Sequence, residues 1–149
     1  MKPRPRVVAP PPAAAAGERR LLDLAAELGA LAPDAGFPGT LEAALDRLRA
    51  AFGGSAPAAI DVFDNWLRTR GDKTRALALA WAREQVRLGL RELLDHEVRA
   101  GRARTDLSAD TLAWLVLAGC EALAHEPPGA DADRLRALLG FVRRAGIRR

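Results

Sequence analysis

The chain has 149 residues, enough for one domain with its own core. Hydrophobic residues make up 49% and charged residues 28%; one cysteine, Cys120, excludes an internal disulfide framework, and two histidines leave little material for a metal cluster. Net charge is +4, carried by the ends: Lys2, Arg4, Arg6, Arg143, Arg144, Arg148 and Arg149 flank a body, residues 18–142, with 16 basic and 19 acidic residues.

Residues 1–17, MKPRPRVVAPPPAAAAG, hold five prolines and an alanine run. The composition predicts a disordered basic arm. It lacks the continuous apolar segment of a signal peptide, and no apolar run approaches the roughly 20 residues that span a bilayer. The expectation is a cytoplasmic protein without membrane association.

Beyond Gly17 the apolar spacing is helical throughout, and no segment alternates like a strand. The first predicted helix spans about Glu18–Ala32, with Leu21, Leu24, Leu28 and Leu31 on one face. The second starts at Thr40 and runs to Phe52, with Leu41, Leu45, Leu48 and Phe52 as its stripe. The third runs from about Pro57 to Arg70. Ile60, Val62, Phe63, Trp66 and Leu67 are assigned to its inner side; Asp61, Asp64, Asn65 and Arg68 are assigned to water.

The fourth helix is the longest, about Lys73–Ala100, ending at Gly101. Leu79, Val86, Leu90, Leu93 and Leu94 form a broad stripe, and Leu77, Trp81 and Leu88 a narrow one opposite. Two apolar sides predict a helix sandwiched in the middle of the fold. Arg83 falls within the broad stripe and needs a partner or a route to solvent.

Ser108 caps the fifth helix, which runs to about Glu126. The sixth runs from about Asp131 to before Gly146. The fold class is therefore all-α, a bundle of about six helices over residues 18–145, with a short basic tail at 146–149. The last two helices are too apolar to be left exposed on a chain of this size: either they are buried in its own core or they face a second copy, and a symmetric helix pair is the commonest way to hide such a surface. The predicted homodimer interface is Leu112, Leu115, Val116, Gly119, Leu123, Leu135, Leu138, Leu139 and Val142.

The segment REQVRLGLRELLDHEVRAGRARTDLSADTLAWLVLAGCEALAHEPPGADADRLRALLGFVRR resembles the C-terminal domain of TetR-family (tetracycline-repressor-like) transcriptional regulators. The shared pattern is a long helix, a glycine turn of the form G-x-x-x-x-D-L at Gly101–Leu107, an apolar helix opening on LAWL at Leu112–Leu115, and a final amphipathic helix through Leu135–Val142. The likeness spans about residues 57–145. It implies an all-α fold, dimerisation through the last two helices, and a small, mostly apolar effector held among the middle helices. That family carries a three-helix DNA-binding head, whereas only 22 residues separate Gly17 from Thr40. No recognition helix follows the first predicted helix, so sequence-specific DNA binding is not expected of this chain alone. The expected role is a regulatory module that senses a small molecule or pairs with a complete TetR-type regulator.

Phe63, Trp66 and Trp81 read either as plain core or as the lining of a pocket. In the second case Arg83 is the convergent polar group for an acidic or carbonyl-bearing ligand, and the expected partner is a small apolar or acidic molecule. Glu92 with His96 and Glu121 with His125 stand at i, i+4, a spacing that suits surface ion pairs better than a metal site. Cys120 reads as an inert core residue. No nucleophile is paired with a base, so neither catalysis nor a cofactor is expected. The alternative function is a nucleic-acid-associated helical dimer that grips phosphates through its arginine-rich tails.

Overall fold

The computed structural model describes residues 12–31, 40–54 and 60–143, with the backbone alone for 12–15. These residues form six α-helices and no strand: α1 (Pro12–Ala30), α2 (Thr40–Phe52), α3 (Val62–Arg68), α4 (Lys73–Arg99), α5 (Ala109–Glu121) and α6 (Asp131–Val142). A 3-10 turn, Ala122–His125, extends α5. None of these helices is long and apolar enough to cross a membrane.

Helix α1 begins at Pro12, inside the segment read as the arm; residues 1–11 of that arm lie outside the described residues. Two local preferences account for the earlier start. Proline presets φ for a first helical turn, and the alanines that follow have the highest helix propensity. Gly17 sits within α1 where the helix meets α3. A Cβ there would come within 2.5 Å of the Asn65 side chain. Leu21, Leu24 and Leu28 point inward, each at most 3% exposed.

Helix α2 has the predicted bounds, and Leu41, Leu45, Leu48 and Phe52 are all buried. Burying each such side chain contributes about 1.5–3 kcal/mol relative to leaving it in water.

Helix α3 differs from expectation in length and in facing. It starts at Val62 because Asp61 is its N-cap, accepting a 2.8 Å hydrogen bond from the Asp64 amide. The predicted start at Pro57 falls outside the described residues. Ile60 is buried but not helical, and its amide donates to the Ala51 carbonyl at 2.8 Å. The inward side of α3 is Asn65 and Thr69, while Phe63, Trp66 and Leu67 are 61%, 54% and 42% exposed. Seven residues are too few for an apolar stripe to fix the rotation of a helix. The cap and the close approach to Gly17 fix it instead.

Helix α4 lies in the middle of the fold. Asp72 caps its start by accepting from the Arg75 amide at 3.1 Å. Gly101 at φ +75° ends it, and the Arg102 amide donates back to the Glu97 carbonyl at 2.9 Å. The broad stripe of α4 is buried against α1, α2 and α5. Its narrow stripe is not: Leu77 and Trp81 are 70% and 57% exposed. The predicted sandwich is therefore one-sided.

Helix α5 is capped by Ser108, which accepts from the Thr111 amide at 3.1 Å. Leu112, Ala113, Val116, Leu117 and Cys120 go into the core. Helix α6 packs on α2 and α5, clasped at its start by the 2.8 Å pair of Arg49 with Asp131. At its end the Arg104 amide donates to the Val142 carbonyl at 2.8 Å, and the Arg104 guanidinium lies 4.5 Å above the Phe141 ring.

A candidate ligand cleft between three helices

Helices α3, α4 and α5 bound a cleft of about 690 Å³. Its floor comes from two matched spacings. On α4, Ala76, Ala80 and Arg83 fall at i, i+4 and i+7; on α5 and its 3-10 extension, Ala118, Glu121, Ala122 and His125 fall at i, i+3, i+4 and i+7. Four alanine methyls face the gap where larger side chains would fill it. Val62, Phe63 and Trp66 of α3 form the wall, and Leu79 completes the lining. The Phe63 and Trp66 rings stand 6.3 Å apart, tilted by 30°.

Arg83 supplies the polar centre. Its Nε and Nη2 donate to the two carboxylate oxygens of Glu121 at 2.5 and 2.9 Å. This bidentate pair is the partner that an arginine in an apolar stripe requires. The hydrogen bonds to Glu121 raise the Arg83 pKa further above its ordinary value, with burial opposing. The side chains retain limited contact with water, 31% for Arg83 and 16% for Glu121. At the rim, His125 Nε2 lies 3.8 Å from Asp61 Oδ1, so the end of the 3-10 turn meets the N-cap of α3. Beside the cleft, Arg87 binds Glu84 through Nε at 2.9 Å and also pairs with Asp110.

Of the four residues read as a possible pocket lining, Phe63, Trp66 and Arg83 come together and Trp81 does not. Trp81 and Arg83 are two positions apart on one helix, which places them on opposite sides. Trp81 is exposed beside Leu77 instead. The missed residues are Glu121, His125 and the alanines. The heptad-like match between Ala76, Ala80, Arg83 and Ala118, Glu121, Ala122, His125 was the available signal.

The Glu–His pairs are rearranged. Glu121 binds Arg83 rather than His125, and Glu92 is exposed while the Nε2 of His96 is buried with no hydrogen-bond partner. Among the described residues no group of three metal-binding side chains is assembled. Cys120 is buried, and burial pushes its thiol pKa up to about 12.

The predicted dimer interface divides in two. Leu112, Val116, Leu123, Leu135 and Val142 are at most 8% exposed and belong to the chain's own core. Helices α5 and α6 pack on α2, and α5 also on α4, and of these five only Leu123 borders the groove between α5 and α6. Leu115, Gly119, Leu138 and Leu139 are half-buried. Gly119 and Leu138, with Ala137 and Phe141, line a groove of about 420 Å³ between α5 and α6. Phe141 is 41% exposed there. Of the terminal arginines, Arg143 is paired with Glu42; the others lie outside the described residues.

No family model, curated protein or solved structure matches this chain.

Proposed function

We propose that the chain is a ligand-binding and dimerisation module of the TetR-regulator type, acting in regulation by sensing a small molecule. The observation that supports this reading most is the α3–α4–α5 cleft. At about 690 Å³ it falls within the roughly 300–1,000 Å³ of small-molecule sites, and it combines an apolar lining with one convergent polar pair. The order of elements adds support: a long helix, a glycine turn at Gly101, an apolar helix and a final amphipathic helix. In this reading two copies meet through the α5–α6 groove around Gly119, Leu138 and Phe141, and pairing with a complete regulator uses the same face.

Native mass spectrometry of the purified chain tests the proposal. A species of twice 15.9 kDa with a retained small-molecule adduct is the expected result. A bare monomer that takes up no small molecule would overturn it.

A further inference from the structure

We propose that the cleft takes an uncharged, apolar molecule carrying a single carbonyl or hydroxyl, and that the Arg83–Glu121 pair excludes both acids and bases. This rests on the cleft being a ligand site. The sequence left an acidic ligand and a carbonyl-bearing one equally open, because it showed Arg83 without its partner.

The charge balance of the cleft decides between them. Arg83 and Glu121 neutralise each other through two parallel hydrogen bonds. A ligand carboxylate that takes Arg83 must displace Glu121, leaving a mostly buried carboxylate uncompensated. A cationic ligand that takes Glu121 strands Arg83 in the same way. An uncharged ligand disturbs neither group. Arg83 has five N–H donors, and the two bonds to Glu121 leave others for one ligand acceptor.

The lining of the cleft sets the rest of the chemistry. The methyls of Ala76, Ala80, Ala118 and Ala122 make a slot between two helices. An apolar molecule packs on these methyls, with Phe63 and Trp66 as the wall.

The test is a fluorescence titration of the full chain with three dyes: Nile red, uncharged, flat and carbonyl-bearing; anilinonaphthalene sulfonate, an anion; and rhodamine 6G, a cation. Nile red is expected to bind at least about tenfold more tightly than either charged dye. Ala118→Trp, and independently Ala80→Trp on the exposed side of the slot, are expected to weaken Nile red by about tenfold or more while far-ultraviolet circular dichroism stays unchanged. Glu121→Gln, which frees the positive charge, is expected to tighten the anion by about tenfold. Tighter anion than Nile red binding by the unaltered chain, lost in Arg83→Met, overturns the ligand class and leaves the cleft standing as a ligand site. Tighter cation binding, lost in Glu121→Gln, has the same meaning. Dye binding that ignores both tryptophan variants, or no binding of any dye, overturns the class and the site together.

Discussion

Arg83 of α4 and Glu121 of α5 share two parallel hydrogen bonds across 38 positions of sequence. The pair ties the α4 and α5 sides of the cleft floor together, and the two opposite charges among the described lining residues neutralise each other. Truncating Glu121 alone leaves Arg83 uncompensated in a partly buried site. Glu121→Ala is expected to lower the unfolding free energy by about 1–2 kcal/mol, reduced from the fully buried case by the water that still reaches Arg83. Arg83→Met combined with Glu121→Met is expected to cost less than the sum of the two single changes. Urea unfolding of the four proteins measures this coupling, and strict additivity would contradict it.

The Arg49–Asp131 pair makes a pH-dependent clasp between α2 and α6. The hydrogen bond from Arg49 holds the Asp131 carboxyl below the usual carboxylate range. A depressed folded-state pKa stabilises the fold above the unfolded value, about pH 4, and that contribution is lost as pH falls through the folded-state value. Asp131→Asn is therefore expected to melt at a lower temperature than the parent at neutral pH. The gap should narrow as pH drops below about 4. Thermal melts across that range check it; a gap independent of pH would show that the clasp carries no ionic contribution.

Gly17 is held without a side chain by Asn65. Alanine at an exposed helix interior position is worth about 1 kcal/mol over glycine. Here a Cβ would lie 2.5 Å from Asn65 Nδ2, and Asn65 is itself buried. Gly17→Ala is expected to destabilise the fold by about 1–2 kcal/mol despite the gain in propensity. In an Asn65→Ala background the same change should become neutral or stabilising. Denaturant midpoints of the two pairs of proteins give the answer.

Cys120 is expected to be unreactive in the folded chain. Its thiol is buried and its pKa is pushed up to about 12, so thiolate is scarce at neutral and mildly alkaline pH. Ellman's reagent at about pH 8 should show no burst, and the slow reaction should track the unfolding rate. A stoichiometric burst would place the thiol at the surface.

The sequence made the long elements legible and the short one illegible. Helix α2 runs from Thr40 to Phe52 as its apolar spacing predicts, and α4 ends at the glycine that the sequence marks. Four or more turns of consistent spacing leave one rotation that buries the stripe. Helix α3 has two turns, and its aromatic residues face outward because Asp61, Gly17 and Asn65 determine its placement. The cleft was half legible for a related reason. Periodicity shows which residues share a face of one helix, so Phe63 with Trp66 was readable. It does not show which residue of a distant helix meets that face, so Glu121 was assigned to His125 and Arg83 was left unpaired. An apolar helix surface reads the same whether its own chain or a second copy covers it, and five of the nine residues assigned to the dimer face are buried within the chain.

The three tryptophans offer the most direct test that the α3–α4–α5 cleft is a ligand site. Trp66 lines the cleft, whereas Trp81 and Trp114 are exposed outside it. Their indole N–H groups give separate signals in a proton–nitrogen correlation spectrum, assignable by single Trp→Phe changes. Titration with Nile red is expected to shift the Trp66 indole signal progressively and to leave Trp81 in place. A shift of Trp81 or Trp114 with Trp66 unmoved would place binding elsewhere and contradict the account.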